Sequence, residues 1–172
     1  GQAVARRARA FDMNVVACDP VVDGEFDARY QIRRVSLDEL LAEADIISLH
    51  TPLTESTRGL VNRTFLARMR PGSMLLNTAR GALVVESDLR DSLVSGHLAG
   101  AGLDVLNQEP PEPGNPLLGL PGVILSPHIA GTDLQSMSDM AELAARTIVD
   151  LYHNRWPADC VVNREIQQGW RW

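Results

Sequence analysis

What this chain has little of narrows the field first. Only two of its 172 residues are cysteine. Cys18 falls in a segment that reads as strand and Cys160 lies near the end, with no close pair. That spacing speaks against a disulfide framework or a metal site and for reduced thiols, hence a cytoplasmic address. No apolar run approaches the roughly 20 residues that a membrane helix requires. Acidic side chains outnumber basic ones by 22 to 16, a formal net charge of -6, and the arginines are scattered. Neither nucleic acid nor an anionic membrane finds a basic patch to meet, so no partner of either kind is expected. Aromatics make up only 5% of the chain, and there is no internal repeat or low-complexity tract. What remains is a 45% share of hydrophobic side chains, enough to bury one sizeable core.

The apolar positions alternate between two periods. Gln2 to Asp12 carries Val4, Ala8 and Phe11 on one helical face, and Asn14 to Cys18 then reads as a strand ending at Asp19-Pro20. A stretch without clear pattern follows, with a short edge strand expected at Ile32 to Val35. Ser36 is placed to cap a helix with Glu39 at the capping-box position, and Leu37, Leu40 and Leu41 supply its apolar face. Ile46 to Leu49, Ser73 to Leu76 and Ala99 to Leu103 read as strands, separated by helices near Asn62 to Met69 and Glu86 to Ser95. The stretch from Pro110 to Pro121 must be a loop, since its prolines cannot continue a helix. Val123 to Leu125 is a last short strand, and Thr132 to His153 holds a helical spacing throughout. Repeated βα units of this length predict an α/β protein with a parallel sheet covered on both faces. The tail after Pro157 has no clear period, and Trp170 and Trp172 need some surface to cover them.

The opening unit, with Gly1 at the start of a helix and Asp19 ending the next strand, looks like the back half of a dinucleotide-binding fingerprint. Gly1 would be its third glycine, which lets helix and strand pack closely. Asp19 would accept hydrogen bonds from the adenosine ribose and repel a 2′-phosphate, so NAD is the cofactor expected. Read without that context, Asp19 is equally a turn residue before Pro20. The glycines that approach the pyrophosphate, and the first strand, would precede residue 1. The chain is therefore expected to behave as a fragment of a doubly wound, Rossmann-like sheet, poorly stable by itself and a weak binder of cofactor, with unpaired strand edges.

Three segments far apart in sequence, Asn77 to Gly81, Asp104 to Pro110 and Ser126 to Gly131, each follow a buried-strand pattern. Each delivers a polar side chain to one sheet edge. An arginine, a carboxylate and an imidazole converging there make a carboxylate clamp and a tunable acid/base.

These motifs, together with Leu49-His50-Thr51-Pro52-Leu53-Thr54 and Thr57, resemble the cofactor-binding domain of the D-isomer-specific 2-hydroxyacid dehydrogenases from Gly1 to about Val162. The resemblance implies NAD-dependent interconversion of a D-2-hydroxy acid and its 2-keto acid. It implies that Arg80 binds the substrate carboxylate, that His128 moves the proton, and that Glu109 pairs with His128 to favour the imidazolium. Asp104 would help place the nicotinamide carboxamide. Gly1, Asp19, His50, Thr51, Pro52, Thr57, Thr78, Ala79, Ala130 and Gly131, with Arg80 and His128, would line the cofactor. By the same resemblance residues 1–152 form a dinucleotide-binding domain lacking its front end. Residues 153–172 form a tail returning toward a substrate domain, and the expected assembly is a homodimer. Leu106 departs from the pattern, standing where the family often has an aromatic residue. The rival reading is an NAD(H)-sensing binding protein like the transcriptional corepressors of this fold, and a further one is an inactive fragment.

Overall fold

A computed structural model describes residues 1–170. The chain forms two compact units, Gly1–His128 and a second that begins at Ile129.

The first unit opens with α1 (Gln2–Ala10), β1 (Val16–Ala17), α2 (Gly24–Tyr30) and β2 (Arg33–Arg34). β1 and β2 pair in parallel as a two-stranded sheet of their own, Val16 opposite Arg33. α2 is a helix that hydrophobic periodicity does not reveal, since none of its residues is buried. Its signal is polar: the Asp23 side chain accepts the Phe26 N–H at 3.0 Å, and the bidentate Arg34–Asp27 pair, at 2.7 and 3.0 Å, ties the helix to β2.

α3 (Leu37–Glu43) starts as the sequence predicts. Ser36 accepts the Glu39 N–H and the Glu39 carboxylate accepts the Ser36 N–H, a complete capping box. β3 (Ile46–Leu49), α4 (Arg63–Arg68), β4 (Met74–Asn77), α5 (Glu86–Val94), β5 (Gly100–Leu103) and β6 (Val123–Leu125) follow. The four strands form one parallel sheet in the order β3-β4-β5-β6. Ile47 lies opposite Leu75 and Leu75 opposite Ala101, and these three face one apolar core with Leu41 of α3, Phe65 and Leu66 of α4, and Leu89 of α5. Gly72, at φ +79°, makes the turn before β4 in a conformation that glycine adopts without strain.

Parallel strands flanked by helices make this a Rossmann-like, doubly wound α/β fold. The cover expected on both faces of the sheet is present on only one. Met74, Leu76 and Ile124 keep their side chains exposed, Ile124 at 77%. Within this unit α1 and α2 bury no residue, so neither closes over that face. β1 and β3 lie in separate sheets and do not pair with one another.

In the second unit α6 (Leu134–Tyr152) is the long helix that the spacing predicts. Asp133 caps it by accepting the Gln135 and Ser136 N–H groups. A short 3-10 helix, Arg164–Gly169, stands where no period was legible. Trp170 packs edge-on against Trp156 with ring centroids 5.9 Å apart, so one of the two expected docking tryptophans finds cover inside this unit. Trp172 lies outside the described residues.

Candidate active site

The ends of β4, β5 and β6 are adjacent because the strands pair, Asn77 beside Leu103 and Leu103 beside Leu125. The three polar segments therefore leave one edge of the sheet, where open α/β sheets bind ligands. The backbone stitches them: Asp104 N–H donates to Asn77 O at 2.9 Å, Ser126 N–H to Leu103 O at 3.0 Å, and His128 N–H to Asp104 O at 2.9 Å.

The turn bearing Arg80 is shaped by Asn77, which is 1% exposed. Its Oδ1 accepts the Ala79 N–H at 3.0 Å, and its Nδ2 donates to Arg80 O at 2.9 Å. One amide side chain thus closes the turn from both ends. The Arg80 guanidinium is exposed and donates through Nη1 to Ala79 O at 2.6 Å. Nε and Nη2 are left as a planar pair of donors, the geometry that matches a carboxylate.

His128 Nδ1 lies 2.6 Å from Glu109 Oε2. The other carboxylate oxygen accepts the Leu106 N–H at 2.9 Å. These two bonds, the His128 one foremost, hold the Glu109 carboxyl below the ordinary carboxylate range. At neutral pH it is ionised and only accepts. Nδ1 therefore carries the proton, which leaves Nε2 as the ring nitrogen able to exchange one. His128 sits at φ +57°, a left-handed conformation that costs a non-glycine residue about 1 kcal/mol or more. Its N–H bond to Asp104 and its ring bond to Glu109 hold it there.

Asp104 is 5% exposed at the end of β5 and accepts the Ser126 hydroxyl at 2.6 Å. A buried carboxylate needs such partners. Thr57 closes the loop after β3: its hydroxyl donates to Pro52 O at 2.8 Å and accepts the Thr54 N–H at 2.8 Å. That bonding shapes the Thr51-Pro52 turn. His50 Nε2 lies 3.0 Å from Ser48 Oγ, and partial burial pushes the imidazole below its usual value. A Cβ built on Gly1 would lie 3.6 Å from the His50 Cβ, which places the start of α1 against the end of β3.

Asp19 lies two residues beyond β1 and is exposed, with Oδ1 accepting the Val21 N–H at 2.8 Å. It makes the turn before α2 and still offers Oδ2. Thr78 is exposed and Ala79 half-buried at the end of β4. Asp19, His50 to Pro52, Thr78 and Asp104 thus all follow C-terminal strand ends. That donor set fits an extended dinucleotide: a carboxylate for ribose hydroxyls at one end and a second carboxylate for an amide at the other. Ala130 and Gly131 belong to the second unit. Among the described residues no cluster of His, Cys, Asp or Glu is arranged to hold a metal ion.

The positioning groups that sequence reasoning missed are Ser126 and Asn77. Asn77 opens the motif containing Arg80, and its strand-end position was the available signal. Ser126 carried none, because its partner lies 22 residues away.

A four-stranded parallel sheet whose edge carries an arginine fork and a carboxylate-bound imidazole, with a second parallel strand pair followed by the carboxylate of Asp19, has the make-up of a nucleotide-binding domain of oxidoreductase type. Residues 1–130 match the model of the D-isomer specific 2-hydroxyacid dehydrogenase NAD binding domain, and the chain belongs to that family. NAD is accordingly its cofactor. The chain is 40% identical over 166 residues to a glyoxylate reductase of Korarchaeum cryptofilum, covering 96% of this chain and 50% of that protein. It is 44% identical over 138 residues to a hydroxypyruvate reductase of Thermotoga maritima, covering 79% of this chain and 44% of that one. Among solved structures, the NAD-complexed D-isomer specific 2-hydroxyacid dehydrogenase of Lactobacillus delbrueckii ssp. bulgaricus superposes with a TM-score of 0.87 at 32% identity, covering 94% of this chain and 52% of that one. The chain spans about half the length of these relatives.

Proposed function

We propose that this chain provides the cofactor domain and the acid/base of an enzyme that interconverts a D-2-hydroxy acid and its 2-keto acid. The observation that carries the reading is the bond between Glu109 and His128 at a sheet edge belonging to an NAD-binding family. Bound NADH supplies the hydride that reduces the keto carbon. Arg80 orients the substrate by holding its carboxylate in the Nε/Nη2 fork, which converts a loose encounter into a fixed approach. His128 donates the Nε2 proton to the nascent alkoxide and takes it back in the oxidising direction. Glu109 stabilises the imidazolium through Nδ1, and the Leu106 N–H keeps the carboxylate aimed. Asp104, held by Ser126, would accept a hydrogen bond from the amide of the nicotinamide end, and Asp19 would accept the ribose hydroxyls and disfavour a 2′-phosphate.

Residues 1–152 serve as the dinucleotide-binding domain and 153–172 as a tail toward a substrate domain. The glyoxylate and hydroxypyruvate reductases among the relatives make small 2-keto acids the first substrates to try. A homodimer is the proposed assembly. The exposed, unbridged Cys18 and Cys160 suit a reducing compartment such as the cytoplasm. No helix among the described residues is long and apolar enough to cross a membrane.

The test is NADH oxidation by the longest natural polypeptide that contains these residues, offered glyoxylate, hydroxypyruvate, pyruvate and longer 2-keto acids. Turnover of one of them, lost in His128→Ala, is the expected result. Tight NADH binding with no turnover of any acid would replace this reading with that of a nucleotide-sensing binding protein.

A further inference from the structure

Glu86, the first residue of α5, belongs to none of the groups assigned above, yet its carboxylate makes two long-range bonds. Oε1 accepts the Asn107 N–H at 2.7 Å, and Oε2 accepts the Asn115 Nδ2 at 2.8 Å. Asn107 and Asn115 bracket the proline-rich loop that carries Glu109. The carboxylate sits in the first turn of a nine-residue helix, where the helix dipole favours its charge. Asn107 also donates through Nδ2 to Val84 O at 3.1 Å, and the Asn115 Oδ1 accepts the N–H of Leu117, whose side chain is fully buried.

The peptide between Leu106 and Asn107 is the junction of the site. The Leu106 N–H goes to Glu109 and the next N–H, that of Asn107, goes to Glu86. The same peptide lies flat against Gly81, beside Arg80. A Cβ built on Gly81 would come within 2.0 Å of the Leu106 carbonyl and 2.5 Å of the Asn107 nitrogen. A tilt of this peptide would therefore disturb the contact that seats the Arg80 turn, and a shift of its Leu106 end would displace the adjoining Leu106 N–H that aims Glu109.

We propose that Glu86 is a positioning residue for proton transfer: by strapping both ends of the 107–115 loop it holds the Leu106–Asn107 peptide, and through it Glu109, in register with His128. The proposal rests on the reading of Glu109 and His128 as the proton-transfer pair. Glu86 touches neither substrate nor cofactor; its effect passes through the loop.

The test is a double-mutant cycle on keto-acid reduction in the longest natural polypeptide that contains the chain. Glu86→Ala is expected to lower kcat about tenfold, a fraction of the roughly 10²–10⁴-fold that a positioned acid/base contributes, with the KM for NADH changed less than about twofold. In a Glu109→Gln background the same substitution should cause no further fall, because the loop then has no carboxylate to aim. Glu86→Gln, which keeps an acceptor for the Asn107 N–H, should recover most of the loss. Should Glu86→Ala fail to fold, Asn115→Ala removes one strap and should show the same pattern in smaller degree. Additive effects, an unchanged kcat, or a KM for NADH that rises as far as kcat falls would each overturn the proposal while leaving the Glu109–His128 pair standing. If Glu109→Gln itself leaves kcat at the wild-type value, the pair is refuted, and the role of Glu86 falls with it.

Discussion

Residues 1–35 and residues 36–128 are both written in alternating helix and strand, yet only the second stretch owns a core. β1 and β2 are two residues long, and Ile32 is the one buried apolar side chain in their part of the unit. Polar contacts hold that region, the Arg34–Asp27 pair foremost. In the four-stranded part Leu75, Leu83 and Leu89 are completely buried. The difference teaches that a periodic pattern suffices to write an element, whereas stability follows from how many other elements its apolar face meets. The chemistry is divided in the same way. On the proposed reading Arg80, Glu109 and His128 follow the strands of the four-stranded sheet, whereas the front region contributes Asp19, one of several exposed carboxylates there.

The comparison breaks most sharply if the two regions exchange roles. Arg80→Ala should lower kcat/KM for keto-acid reduction about a thousandfold through lost orientation, with NADH affinity held within about twofold by direct titration. Wild-type turnover would remove the packed edge from the mechanism. Leu89→Ala should cost about 3 kcal/mol of stability by opening a cavity in the core. Phe11→Ala, at an 81% exposed position of the front region, should stay within about 0.5 kcal/mol. Urea melts of both variants check the pair, and equal losses would show that the front has a core of its own. Asp19→Ala should weaken NADH binding about tenfold by removing charged hydrogen bonds and should leave kcat intact; a fall in kcat instead would place Asp19 in the chemistry.

The smallest effect concerns pH. The Glu109 carboxyl is lowered by its bonds to His128 and Leu106. Its stabilising contribution is therefore complete above the ordinary carboxylate value, about 4.3, and is lost as pH falls through the lowered value of the folded state. Glu109→Gln should flatten only that acid part of the stability curve, followed by melts across acidic pH. The exposure of the pair keeps the change small.

Legibility followed the range of the interaction. The Ser36–Glu39 capping box, β3 to β6 and α6 were readable because propensity, capping and period act within a few residues. α2 was not readable: it is short, buries nothing, and depends on a partner in β2. The uncovered face of the sheet was equally invisible, since strand periodicity says that a face is apolar without saying which helix reaches it. In the site, the residue types at positions 80, 109 and 128 stood out as a fork, a carboxylate and an imidazole. The bonds that position them could not, because Ser126 with Asp104 and Glu86 with Asn107 join residues more than twenty apart.

By itself the sequence determined the order of helices and strands, the strand ends that carry polar groups, and the kind of chemistry those groups can perform, because all of these depend on local geometry and side-chain identity. Only the tertiary structure decided that Glu109 meets the ring of His128, that Asn77 closes the Arg80 turn on itself, and that the Leu106–Asn107 peptide abuts Gly81. Hydrogen bonds and close packing act over about 3 to 4 Å, and for residues distant along the chain that proximity exists only once the strands have paired.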